Sequence, residues 1–312
     1  MLFQNDEPHP AHRVFGEAVG CDFVHFETGL SPAHTEAYTG RLTDRVRAGA
    51  SLGDADLVIA EGTAPLQTAI VASVRSGATL VYLCADQTFR TLHRRNTEAV
   101  WRLLPNVVDG VIAVSELAYG WASPYIDASR EIVRPPIMTE KYEHLTEVTP
   151  GSPDGPIVTM GQMRSQKNFE HLPTIADRTG REVVVLGAGH GEQSYTDHSS
   201  VTAPGWVSVP ELAATLEGAA LYVQPSTADA CPVASMEAML SGTPVLVSDG
   251  AGTKELGVRH APLDRFVEEA AAYLEEPRET RERDGESNRD RVIEFTEDQQ
   301  GTRFREAIGR WT

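Results

Sequence analysis

Short apolar runs alternate with amphipathic stretches along the whole chain, and this alternation constrains the fold more than any other feature. In the first half, strands are expected at Met1–Gln4, Asp22–Phe26, Asp56–Ala60, Leu80–Cys84, Val108–Val114 and Glu131–Val133. Helical periodicity falls between them at Ala11–Val19, Thr35–Ala48, Pro65–Val74, Phe89–Leu104 and Glu116–Trp121. Such alternation predicts an α/β architecture, a parallel sheet with helices on both faces. The segment Pro150-Gly-Ser-Pro-Asp-Gly-Pro156 then interrupts every pattern, because neither strand nor helix tolerates so many prolines and glycines. Beyond it the alternation restarts, with strands at Ile157–Met160, Glu182–Leu186, Ala220–Gln224 and Val245–Ser248. Helices are expected at Phe169–Arg178, Pro210–Glu217, Pro232–Leu240, Pro262–Leu274, Pro277–Arg291 and Thr302–Trp311. The reading is two doubly wound, Rossmann-like domains, 1–150 and 151–295, with 296–312 as a final helix. Ligands of such domains bind outside the carboxyl ends of the strands, so chemistry is expected in a cleft between the two.

With 312 residues, 41% of them hydrophobic, the chain can fill two ordinary cores. No apolar run approaches the roughly 18 residues a membrane span needs. The N-terminus lacks the basic and apolar regions of a signal peptide, so a cytoplasmic location is expected. The formal charge is -18, and of 27 cationic side chains only Lys141, Lys167 and Lys254 are lysines. A lysine-poor, evenly anionic surface resembles that of a halophile's protein, where molar salt screens self-repulsion. It argues against nucleic-acid partners, which call for basic clusters. Cys21, Cys84 and Cys231 have no metal-binding spacing and read as reduced, buried thiols.

Three segments carry the chemistry. In Val158-Thr-Met-Gly161-Gln162-Met-Arg164-Ser-Gln-Lys167-Asn168 a strand ends on glycine, and a cation stands just before an expected helix start. That arrangement suits an anion, although Lys167 alone reads equally well as a solvated surface lysine. The turn Gly187-Ala-Gly189-His-Gly191 looks like a loop lining a nucleotide pocket, but it lacks the helix and acidic residue of a dinucleotide fingerprint. The third segment runs from Leu221 through Pro225-Ser226, Asp229, Cys231-Pro232-Val233, Glu237-Ala238-Met239, Gly242 and Pro244-Val245 to Gly252 and Glu255. Its two carboxylates flank a helix start, where free amides face an anion. By itself, Asp229 also reads as a cap-region acid and Glu237 as a helix-surface charge. Asp54-Ala-Asp56 spells D-x-D, but it precedes its strand and reads as a cap.

Taken together, these segments resemble the donor-binding domain of the retaining family 4 glycosyltransferases, which have the GT-B fold of two Rossmann-like domains facing across a cleft. The family's glycine and cation are similar to Gly161 and Lys167, its "G-x-V" to Gly205-Trp206-Val207, and its paired glutamates with "EAM…G-x-PV" to Asp229, Glu237-Ala238-Met239, Gly242 and Pro244-Val245. The resemblance implies transfer of a sugar from a nucleotide-sugar donor to an acceptor hydroxyl, with retention and without a metal or other cofactor. It places Lys167 on the diphosphate, Glu237 on the ribose and Asp229 on the donor sugar. Gly161, Gln162, Arg164, Gly187, Gly189, Cys231, Pro232 and Val233 would line the donor site, and Asp86 and Asn5 the acceptor side. It also implies that the last helix crosses back to the first domain.

The sequence departs from the family at Gln162, where an arginine is usual, at Asp229, one methylene short, and at Ala85, where a histidine is usual. The glycine pair common after the first strand is replaced by Gln4-Asn5-Asp6. These departures keep a second reading open, a non-catalytic nucleotide-sugar-binding or partner protein. A nucleotide-sugar epimerase would need a cleft histidine, and His190, His198 and His260 read better as polar loop residues. The acceptor, whether glycan, lipid or small molecule, is not written in the motifs. Arg94-Arg95 reads as a solvated helix face, and peripheral contact with a membrane's inner face stays open.

Overall fold

The computed structural model describes residues 1–3, 8–25, 42–92, 107–149, 153–191 and 193–312. Asn5, Arg94 and Arg95 lie outside the described residues, as do 35–41 and 93–104 of the two expected helices that contain them. The chain divides into two compact units, Met1–Pro136 with Glu297–Thr312, and Ile137–Thr296.

The first unit is built on six strands: β1 (Leu2–Phe3), β2 (Val24–His25), β3 (Leu57–Glu61), β4 (Thr79–Cys84), β5 (Gly110–Ala113) and β6 (Ser129–Ile132). They pair in the order β2-β1-β3-β4-β5-β6, every pair parallel. Helices α1 (Pro10–Ala18), α2 (Leu42–Ser51), α3 (Leu66–Ser76), α4 (Thr88–Leu92) and α5 (Glu116–Ala122) fall between them. Leu80 to Cys84 are all buried, as expected of a central parallel strand covered on both faces.

The second unit opens with α6 (Thr139–Thr146) and continues through β7 (Ile157–Met160), α7 (Leu172–Thr179), β8 (Val183–Leu186), β9 (Val201–Gly205), α8 (Val209–Glu217) and β10 (Leu221–Gln224). It closes with α9 (Val233–Leu240), β11 (Val245–Ser248), β12 (Arg259–Ala261), α10 (Phe266–Glu275) and α11 (Arg278–Val292). Its sheet order is β12-β11-β10-β7-β8-β9, again all parallel. The winding direction reverses between β7 and β10, which makes the carboxyl ends of those two strands the topological switch point. Beneath it Ile157, Phe169, Leu172, Val185, Val223 and Leu246 form the core.

Sequence and structure differ in three elements of this unit. The edge strands β9 and β12 carry no apolar run: β9 contains Pro204, which an edge position tolerates because its missing amide need not pair. Helix α6 has one buried apolar residue, Leu145, so its periodicity is faint. The unit boundary lies at residue 137 rather than 150, because α6 packs on α8 and α9 and the Ile137 amide donates to the Phe295 carbonyl at 2.8 Å. A proline-rich turn marks where regular structure stops, not where packing divides.

The last helix, α12 (Glu297–Ile308), starts five residues before the expected Thr302 and belongs to the first unit. Phe304 stacks on Phe15 of α1 at 4.6 Å, and Arg305 Nε donates to the Ala18 carbonyl at 2.8 Å. Just past the helix, Trp311 lies on Gly110 so closely that a Cβ there would sit 2.3 Å from the indole. Gly110→Ala should therefore lower stability by about 1–3 kcal/mol through overpacking. In a Trp311→Ala background the same change should cost under about 0.5 kcal/mol, because the clashing ring is gone. Chemical denaturation of the two single variants and the double variant checks this, and additive losses would contradict the packing.

Candidate functional site

The carboxyl ends of β7 and β10 bring together most of the residues that the sequence singles out. After β7 the backbone turns at Gly161 (φ 136°), and the loop runs through a 3-10 turn at Ser165–Lys167. Asn168 (φ 59°) then adopts the left-handed conformation that asparagine accepts more readily than most residues. This residue stops the turn from becoming a helix, so α7 begins only at Leu172. Lys167 thus stands on a tight loop and not at an α-helix N-terminus as expected from sequence. Its ammonium donates to Asp229 Oδ2 at 2.9 Å, which joins the loop after β7 to the loop after β10. A second tie runs alongside, from the Thr227 amide to the Gln166 carbonyl at 2.7 Å.

Asp229 is held in place by backbone as well as by its ion pair. Its amide donates to the Gly250 carbonyl at 2.8 Å and its carbonyl accepts from Gly252 at 2.9 Å, a parallel bridge to Ala251. Pro232 takes the N-cap position without a side-chain cap, and α9 starts at Val233. The first-turn amides of such a helix lack the carbonyls of a preceding turn and lie close to the Asp229 loop. Cys231 is buried, its thiol 4.0 Å from the Met236 sulfur.

Glu237 faces inward on α9, its side chain only 6% exposed. Lys141 Nζ of α6 donates to its Oε1 at 2.7 Å, an interaction not foreseen from sequence. The signal was present in the composition: two of only three lysines turn out to neutralise the two carboxylates of this site. The third, Lys254, donates to the Asp249 carbonyl at 2.7 Å.

Under the two pairs lies a chain of buried polar groups. Tyr222 donates to Gln224 at 2.6 Å, and Gln224 Nε2 to the Ser226 hydroxyl at 2.8 Å. Burial first, then the negative charges of Glu237 and Asp229, hold the Tyr222 hydroxyl well above its ordinary range, so it remains a donor.

The glycine-rich turn serves packing. Gly187 (φ 128°) presses on the loop after β7: a Cβ there would lie 2.3 Å from the Gly161 carbonyl oxygen. That carbonyl accepts from His190 Nε2 at 2.8 Å, and in the neutral ring Nδ1 then accepts from Tyr195 at 2.5 Å. Burial, with a smaller contribution from the Glu170 charge, pushes the Tyr195 hydroxyl up to about 12. His190 is a polar loop residue as expected, and a buried one that supports Gly161. Gly189 (φ 86°) packs on Met163, whereas Gln162 and Arg164 are exposed and 3.4 Å from each other. His198 and His260 pair with Asp177 and Asp249 at 3.1 and 2.7 Å.

In the first unit, Asp86 clamps a turn: its carboxylate accepts from the Thr63 amide at 2.6 Å, the Thr63 hydroxyl at 3.0 Å and the Thr88 amide at 2.8 Å. Beside it, burial pushes the Cys84 thiol far above its ordinary range.

Residues 155–276 match the model of the glycosyl transferases group 1 family. The matched segment holds the Lys167–Asp229 pair and Glu237, and lies wholly in the second unit of the chain. No curated protein matches this sequence. The two Rossmann-like parallel-sheet units match solved GT-B glycosyltransferases. One is a sucrose-phosphate synthase from Thermosynechococcus elongatus: 15% identity, 98% of this chain and 86% of that one covered, TM-score 0.70. Anabaena HepE, solved with UDP and glucose, is 16% identical over 99% of this chain and 98% of that one, TM-score 0.71. A UDP-forming trehalose-phosphate synthase from Burkholderia xenovorans is 10% identical over 91% of this chain and 81% of that one, TM-score 0.65.

Lys141 is a structural cation as well as a neighbour of the site. Lys141→Met leaves the buried Glu237 carboxylate without its partner and should cost about 1–3 kcal/mol. Adding Glu237→Gln should recover part of that loss. Thermal unfolding of the single and double variants measures it, and equal stability of Lys141→Met and wild type would rule the pairing out.

Proposed function

We propose that the protein transfers a sugar from a nucleotide-sugar donor to an acceptor hydroxyl, with retention of anomeric configuration and without a metal. The observation that carries this reading is the Lys167–Asp229 ion pair at the switch point, immediately before the uncapped start of α9. In transfer the bond from the anomeric carbon to the diphosphate oxygen breaks and the bond to the acceptor oxygen forms. The acceptor's proton leaves with the diphosphate. Negative charge therefore grows on the leaving group, where a fixed ammonium and helix-start amides stabilise it most.

Binding re-pairs the charges. The diphosphate takes Lys167, the donor sugar's hydroxyls satisfy Asp229 in its place, and the ribose hydroxyls bond Glu237 while Lys141 keeps that carboxylate oriented. A protein cation then fills the place a divalent ion holds in other transferases. Trp206 follows the end of β9 and is 71% exposed, which offers a flat face on which a base can stack. The UDP named for two of the matched structures makes UDP the first nucleotide to test. Retention is proposed on the resemblance of the 225–245 segment.

Lys167→Ala should weaken UDP binding about 10–100-fold, the loss of one charge-assisted contact to phosphate. Calorimetry in concentrated salt measures it, and unchanged affinity would remove Lys167 from the site. Donor turnover should persist in EDTA, and the anomeric proton of the product, read by NMR, should keep the donor's configuration. Binding without any product would instead favour a nucleotide-sugar-binding protein.

A further inference from the structure

The first unit holds a second pair of functional groups that donor binding leaves unused. Glu61 is the last residue of β3, and His12 lies in the first turn of α1. His12 Nδ1 and Glu61 Oε1 are 2.7 Å apart, and the side chains are only 13% and 9% exposed. The sheet order β2-β1-β3 reverses the winding between β1 and β3, so Glu61 stands at the switch point of this unit, where open parallel sheets bind ligands.

The pair is incomplete as it stands. Glu61 Oε2 is buried and accepts no hydrogen bond among the described residues. A buried carboxylate oxygen without a donor is destabilising, and few native groups are left in that state without a role. A carboxylate next to Nδ1 fixes the proton on that nitrogen and turns Nε2 into an acceptor. Oε2 and Nε2 are then two acceptors on adjoining side chains, and hydroxyl groups supply the donors they lack. An anionic ligand would meet the Glu61 charge at close range, in a chain that already carries -18.

We infer that His12 and Glu61 form a recognition dyad for a neutral polyhydroxylated ligand, with Glu61 Oε2 and His12 Nε2 each accepting a hydrogen bond from a ligand hydroxyl. The inference deepens the transfer reading and takes from it only the identification of this ligand as the acceptor.

The test uses the full chain labelled with 15N-histidine in a buffer containing EDTA, with the His12 signals assigned through His12→Gln. The probes are the methyl α-glycosides of glucose, galactose, mannose and N-acetylglucosamine, and the fully O-methylated glucoside as a control. At least one free glycoside should shift the His12 ring nitrogens saturably, and the O-methylated control should not. Glu61→Gln replaces an acceptor by a donor and should weaken that binding at least fivefold, with its fold checked by thermal unfolding. No saturable shift with any glycoside, an equal shift with the O-methylated control, or unchanged affinity in Glu61→Gln would each overturn the inference. UDP titrated into the same sample separates the two readings: if UDP binds and no glycoside does, only the dyad fails, and the reverse result leaves the dyad standing and removes the donor site.

Discussion

The second unit depends on a close backbone approach at its switch point. Gly187 lies against the Gly161 carbonyl, where no Cβ fits, and His190 holds that same carbonyl from the other side. This contact sets the path of the loop after β7 and brings Lys167 within 2.9 Å of Asp229. The site is therefore organised by backbone first and by charge second. An ion pair alone would not define such a loop, since a long lysine side chain loses considerable freedom when it is held.

Electrostatics explains why so acidic a chain keeps cations here. With a formal charge of -18, most of its surface repels anions. At the switch point Lys167 and Lys141 each stand on one carboxylate, so the two pairs together carry no net charge and add nothing to that repulsion. Short range makes the arrangement tolerant of salt: contacts under 3 Å lie inside the Debye length even at about 1 M ionic strength. The two units also handle their carboxylates differently. Asp86 uses both oxygens to hold a turn, whereas among the described residues Glu61 keeps one oxygen unbonded.

Much of the fold was legible because parallel strands buried on both faces are written as continuous apolar runs. Leu80–Cys84 and Val245–Ser248 could hardly be read otherwise. The edge strands β9 and β12 and the helix α6 were not legible, since elements at a sheet edge or with a single buried contact leave little periodicity. In the site, Asp229 and Glu237 were singled out by the family resemblance of their segment, since their spacing around a helix start by itself also reads as a cap acid and a surface charge. Lys141 escaped because it is distant in sequence and sits on a helix with a single buried residue. Glu61 and His12 escaped for a related reason: a strand-end acid and a histidine in the first helix form a pair only after β3 has been placed beside β1.

The sequence by itself determined two parallel α/β units, a helix beginning near Pro232 and a lysine content so low that each lysine carries information. These follow from local periodicity, turn chemistry and composition, which need no knowledge of distant contacts. Only the tertiary structure decided which lysine meets which carboxylate, that Gly187 serves the packing of two loops, and that residues 137–149 belong to the second unit. Each depends on groups far apart in the chain coming within bonding distance, from 26 residues apart for Gly161 and Gly187 to 158 for Ile137 and Phe295. Strand order sets those distances, and strand order is settled by how the sheet packs as a whole.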